Sequence, residues 1–205
     1  MDDTSTQLNC PSCGASVPVR LKYAKLLVCG SCQTSLFLED EVVKNVGERS
    51  ALTPVPSIFE MGRRYQYRNW QLEPYGRIRF DYGGGFWDEW WMMLDSGEGR
   101  WISVDEGDIA VEAPIEYGRA PPAYDTLTIG RELTLAKQKV TVTERGDATC
   151  VGAEGTLPEV ISIGETHQYA HLSGPRGLIL TLEFFDETFS IHKGVWVDPF
   201  EIKAL

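Results

Sequence analysis

A mainly β protein is what this sequence predicts: a small cysteine-bearing module, then an antiparallel β body of sandwich or barrel-like form, laid out as two tandem units. Three observations predict it. Two Cys-x-x-Cys pairs stand close together near the N-terminus. A tryptophan-rich run, Gly83-Gly84-Gly85-Phe86-Trp87-Asp88-Glu89-Trp90-Trp91-Met92-Met93-Leu94, is bounded by turn residues and is too aromatic for a solvated helix. Beyond residue 57, short alternating segments recur between turns, and no stretch reads as an amphipathic helix.

Residues 1–40 form the first module. Cys10-Pro11-Ser12-Cys13-Gly14 and Cys29-Gly30-Ser31-Cys32 are separated by fifteen residues, a spacing that lets each pair turn two sulfurs toward one tetrahedral ion. Gly14 and Gly30 supply backbone freedom at the knuckles. Val17, Val19 and Leu21 alternate with other residues, and Leu26-Leu27-Val28 and Leu36-Phe37-Leu38 supply further strands. The pattern is that of a zinc ribbon. A module of about forty residues cannot close an adequate core, so zinc supplies its folding free energy. Four thiolates leave no open coordination position, which makes the zinc structural. Residues 41–57 carry charges and then Thr53-Pro54-Val55-Pro56, the composition of a linker or short connecting helix.

Residues 58–111 read as a first β unit. Arg77-Ile78-Arg79-Phe80-Asp81-Tyr82 alternates, the triple glycine makes a hairpin turn, and Arg100 to Val104 follows a turn at Asp95–Gly99. On the tryptophan strand, Phe86, Trp90, Met92 and Leu94 point one way and Trp87, Trp91 and Met93 the other. Residues 112–126, with Pro114, Pro121 and Pro122, read as a crossing segment. Residues 127–205 read as a second β unit, because Ile129-Gly130-Arg131 followed by Leu133 and Leu135 echoes Met61-Gly62-Arg63 followed by Tyr65 and Tyr67.

Composition excludes some classes. A formal charge of −11 argues against nucleic acid as a partner. No run is long enough to span a bilayer, and Met1-Asp2-Asp3-Thr4-Ser5 lacks the basic start and apolar core of a secretory signal. Paired cysteines used as metal ligands suit a reducing compartment, so the expected location is the cytoplasm.

The runs Trp87-Asp88-Glu89-Trp90, Leu94-Asp95 and Trp101-Ile102-Ser103-Val104-Asp105-Glu106-Gly107 resemble the bacterial family called domain of unknown function 4178. So do Leu180-Thr181-Leu182-Glu183-Phe184-Phe185-Asp186 and Gly194-Val195-Trp196-Val197, and the resemblance covers about residues 58 to 203. It implies an accompanying N-terminal zinc ribbon and a bacterial cytoplasmic protein that works beside membrane proteins or polyamine-type enzymes. It transfers no catalytic residue.

Two groups of side chains are candidates for function. Trp87, Trp91, Met93 and Trp101 are the residue types that dominate binding hot spots, and they form a candidate interaction surface for a protein partner or a homo-oligomer. Asp88, Glu89, Asp105 and Glu106, with His167 and His171, which flank Tyr169 in a run of every second position, form a candidate polar site. Their simpler reading is structural pairing with Arg77, Arg79 and Arg100, with Asp88 buried on the face of Trp90. Cys150 reads as a small buried apolar residue. The first functional reading is a non-enzymatic zinc-ribbon adaptor that binds a protein through an aromatic β surface. The alternative is an enzyme with a carboxylate and histidine site between the β halves.

Overall fold

The computed structural model describes residues 6–186 and 188–205. Residues 1–5, on which the expectation about a secretory signal rests, lie outside them. In chain order the strands are β1 (Thr6–Asn9), β2 (Ser16–Val19), β3 (Leu26–Val28), β4 (Thr34–Glu39), β5 (Val42–Arg49) and β6 (Tyr65–Tyr67). There follow β7 (Trp70–Asp81), β8 (Phe86–Leu94), β9 (Gly99–Asp105), β10 (Asp108–Pro114) and β11 (Glu132–Leu135). The last are β12 (Gln138–Leu157), β13 (Thr166–Ser173), β14 (Leu178–Phe184), β15 (Phe189–Val197) and β16 (Ile202–Ala204).

Two meanders build the body. β7 to β10 pair in sequence, as do β12 to β15, and each meander carries one extra leading strand, β6 or β11. The last strands of the two meanders, β10 and β15, pair antiparallel, and so do the first, β7 and β12. The ring of eight strands therefore closes, with Gly62 and Gly130 in matching left-handed turns at φ +80 and +83 before the two leading strands. This is the barrel-like form of the expected antiparallel body, and its two units share one ring.

The side-chain phase of the ring follows from register. Trp87, Glu89 and Trp91 on β8 lie opposite Asp105, Ser103 and Trp101 on β9, and the same face continues through Ala110 and Glu112, His192, Thr181 and Glu183, then His167, Tyr169 and His171. Trp87 on β8 meets Tyr169 on β13 with ring centroids 4.9 Å apart, although those strands are not neighbours, so this face is the barrel interior. The other phase points outward and is apolar apart from the buried group Arg77, Arg79 and Asp88. On the first meander it packs under Phe59, β6 and β16, where Trp90, Met92, Leu94 and Ile102 are buried. On the second it packs under β11 and Leu127, where Leu172, Leu180 and Leu182 are buried. Both faces of β8 are thus covered by this chain.

That burial corrects the expected interaction surface. Trp87, Trp91 and Trp101 retain only 5%, 7% and 4% of their accessible area, and Met93 is half-buried against the same core. Phe86 departs from its alternation partners in being exposed, with the Arg79 guanidinium over its ring at 4.3 Å.

The cysteine module abuts the barrel. β3 pairs with the end of β12 at Leu26 and Leu27, and its neighbours β4 and β5 extend the sheet. Ser50 Oγ donates to the Ala153 carbonyl at 2.5 Å, and the Arg20 guanidinium lies 3.9 Å over the Tyr75 ring. Gly76 permits the contact, since a Cβ there would meet Leu157 and the Thr156 carbonyl. Of residues 41–57, expected as a linker or short helix, Val42 to Arg49 form strand β5, entered by a two-residue hairpin with Asp40 and Glu41 both left-handed at φ +49 and +60, and residues 50–57 form neither helix nor strand.

On the outer face, Asp88 sits between Arg79 Nε at 2.7 Å and Arg77 Nη1 at 3.4 Å, and all three residues are buried. Removing the carboxylate leaves Arg79 without its buried counter-charge and Arg77 with Glu154 alone, 2.8 Å away. Asp88→Asn is expected to lower unfolding free energy by about 3 kcal/mol, measured by urea denaturation.

Candidate functional site

Local backbone geometry builds the first site. Gly14 N–H donates to the Cys10 carbonyl at 2.8 Å, and Gln33 N–H donates to the Cys29 carbonyl at 2.7 Å, so the two knuckles have the same turn. Gly14 takes the left-handed position at φ +76 in one; in the other that place belongs to Gln33 at φ +63, not to Gly30. The sulfurs of Cys10, Cys13, Cys29 and Cys32 lie within 4.8 Å of one another, with Cys10–Cys32 at 3.6 Å and Cys13–Cys29 at 3.8 Å. A tetrahedral ion with bonds of about 2.3 Å requires sulfurs about 3.8 Å apart, so the four thiols fit a metal ion. Hydrogen bonds from Thr34 favour the Cys32 thiolate, lowering that thiol to about 6.

The second site is inside the barrel. A cavity of about 40 Å³ is lined by Glu89 from β8, Glu112 from β10, Glu183 and Thr181 from β14, His192 from β15, and Glu159 from the β12–β13 loop. Its apolar wall includes Ile78, Phe80, Trp101 and Phe185, and exposed Val160 lies at the rim. Thr181 Oγ1 donates to the Glu112 carboxylate at 2.9 and 3.1 Å. Ser190 Oγ donates to Glu183 Oε2 at 2.6 Å, and Trp101 Nε1 donates to Glu159 Oε1 at 3.3 Å. Gly194, opposite Glu112, leaves room for it, because a Cβ there would meet Glu112 Cγ at 2.6 Å.

Around this cavity the carboxyl groups behave differently. Loss of water, then the charges of Glu112 and Glu183, push Glu89 well above the ordinary carboxyl range. Desolvation also raises Glu112 against the opposing pull of His192 and His171, and desolvation with Glu183 raises Glu159. Desolvation alone would raise Glu183 too, but His167, 3.6 Å from Oε1, and His192, 3.9 Å from Oε2, outweigh it and hold Glu183 down to about 2.

These shifts have a sign. A carboxyl raised in the folded state binds protons that the unfolded chain releases above its ordinary value of 4.5, so its contribution weakens as pH rises. Glu183 works oppositely: its contribution is present above 4.5 and is lost as pH falls toward about 2. Glu89→Gln removes one raised group. Relative to the wild type, this variant is expected to gain stability as pH rises from about 5 to about 8, read by urea denaturation of metal-saturated protein.

At one end of the interior a second polar group forms. His171 Nδ1 lies 3.1 Å from Glu144 Oε2, and Tyr169 OH donates to Glu144 Oε1 at 2.6 Å. These bonds, His171 foremost, lower the Glu144 carboxyl. Asp105 is raised by desolvation and by Glu144.

The expected polar residues thus divide. Glu89, Asp105, His167 and His171 face the interior between the two β halves, whereas Asp88 is on the outer face with its arginines and Glu106 occupies the exposed β9–β10 turn at φ +48. Cys150 is fully buried, and burial pushes its thiol up to about 11. Glu112, Glu144, Glu159, Glu183 and His192 are additions from the structure. The sequence signal for Glu183 and Glu112 was their place inside strongly apolar strands, Leu178–Phe184 and Asp108–Pro114.

Among the described residues, no helix is long and apolar enough to cross a membrane, and the four cysteines are the one group brought to metal-binding distance. No curated protein and no solved structure matches the chain. Residues 61–199, which take in both meanders from the turn before β6, match the family described as Domain of unknown function (DUF4178), and the chain therefore belongs to that family.

Proposed function

We propose that the barrel binds a small molecule in its interior, and that the four-cysteine centre holds a structural zinc ion that keeps the ribbon folded against one end. The observation that carries the binding reading is the convergence of Glu89, Glu112, Glu159 and Glu183 from four separate elements on one cavity. A barrel needing only stability would fill this space with apolar side chains, because desolvated carboxylates oppose folding unless they are paired. Perturbed titratable groups around a cavity are the usual mark of a ligand site. Zinc is favoured by the all-thiolate donor set, and free thiol ligands favour a reducing compartment such as the bacterial cytoplasm.

Binding is tested by ligand-observed NMR of the full chain with a mixture of small amines, alcohols and carboxylates, beside Val160→Trp. The variant places a large ring at the rim from an exposed position. Guests that bind the wild type and are lost in the variant support the reading. Equal binding to both proteins, or none to either, overturns it.

A second reading, acid–base catalysis between the β halves, is favoured by one observation: Glu183 is held down while its neighbour Glu89 is pushed up. Carboxyl groups driven apart in this way suit a base and an acid. The protein-adaptor reading loses the aromatic surface on which it was based.

A further inference from the structure

We propose that the guest of this cavity is the ammonium head of a small aliphatic amine, received by Glu183 and Glu89 with its methylene chain leading out past Val160. The inference rests on the small-molecule reading above and names the ligand class. Four carboxylates line the cavity, yet no lysine or arginine does, and His192 is the one basic side chain in its wall. Carboxyl groups therefore outnumber basic side chains in the wall by four to one.

A second observation points to a missing partner. His167 has no accessible side-chain surface, faces the interior, and stacks on Phe185 with centroids 5.1 Å apart. Neither of its ring nitrogens has a hydrogen-bond partner, and Nε2 is aimed at Glu183 from 3.6 Å. An ammonium seated beside Glu183 has more than one N–H donor, so it can bond the carboxylate and also an acceptor nitrogen of the His167 ring.

Geometry selects an ammonium over a metal ion. Metal ligation at about 2.0–2.6 Å requires a tight cluster of ligand atoms, and among the described residues the cysteines alone provide one. Hydrogen bonds of about 2.8 Å from N⁺–H reach acceptors that are more widely spaced. The rings of Phe80, Trp101 and Phe185 in the wall suit the methylene next to the charge and attract a cation. A volume of about 40 Å³ holds the head group and little more.

Isothermal titration calorimetry of the metal-loaded full chain with n-butylammonium chloride tests this, beside butan-1-ol and magnesium and manganese chlorides. The expected result is one butylammonium per chain, no heat from butan-1-ol, and affinity reduced at least about tenfold in Glu183→Gln. Val160→Trp, an exposed position that leaves the fold intact, is expected to block binding as well. The ligand class is overturned if butan-1-ol binds as tightly, if either metal ion displaces the amine, or if other guests bind in a Val160→Trp-sensitive way while butylammonium does not; the cavity reading then stands. If no guest of any class binds, both fall.

Discussion

Removing a metal ion held by the four thiols is expected to unfold the ribbon and uncover one end of the barrel. The strands beside the knuckles are short, β3 having three residues and β2 four, so their hydrogen bonds alone cannot hold them. A structural zinc contributes about 10–16 kcal/mol of apparent binding free energy near neutral pH, more than such a module draws from packing. Loss of β3 then exposes the β12 edge at Thr156 and Leu157. After treatment with a strong chelator, or in Cys29→Ser, amide protection in β3 to β5 is expected to vanish. The cysteines of the knuckles that remain react with a thiol reagent, while Cys150 inside the barrel stays protected. Retained protection without metal would show that the ribbon folds by its own core.

Trp91→Ala is expected to destabilise the protein by about 3–5 kcal/mol, the cost of emptying a large core position, which corresponds to a fall of about 6–20 °C in Tm for a chain of this size. Trp91 packs edge-on against Trp101 with centroids 5.0 Å apart. Its ring also covers Gly99, which has no side chain to fill the space left by the indole. Thermal denaturation measures the effect. A variant with unchanged Tm that loses self-association or a protein partner would return Trp91 to an exposed interaction surface.

The cysteine centre was legible because its information is local. Two short knuckles, each closed by its own backbone turn, carry the whole donor set. The phases of β8 were legible for a similar reason, since a period of two divides Trp90, Met92 and Leu94 from Trp87, Trp91 and Met93 whatever surrounds the strand. Which phase is solvated is not local information. β8 is buried on both sides because Phe59, β6 and β16, distant in sequence, cover its outer face. The hairpin into β5 escaped because Asp40 and Glu41 occupy left-handed positions usually marked by glycine or asparagine.

The acidic cavity was only half legible, and for a physical reason. In an ordinary sheet the polar phase of an alternating strand faces water and the apolar phase faces the core. In this barrel the apolar phase of β14, Leu180 and Leu182, is buried outside the ring, and the polar phase, Thr181 and Glu183, points toward the axis. Glu89 and His167 were noticed through their neighbours, a tryptophan run and a His-x-Tyr-x-His spacing. Glu112 and His192 stand alone in their strands and are joined to the site by closure of the ring, where Pro114 lies opposite His192.

The most direct test of the account is a carbon-detected NMR titration of the glutamate carboxyl groups in selectively labelled protein, assigned by single Glu→Gln variants. Convergence in one desolvated cavity predicts that Glu183 titrates near 2 while Glu89, Glu112 and Glu159 titrate above the ordinary 4.5. Four groups titrating together near 4.5 would mean that water reaches each of them separately, and the carboxylates would then form no common site.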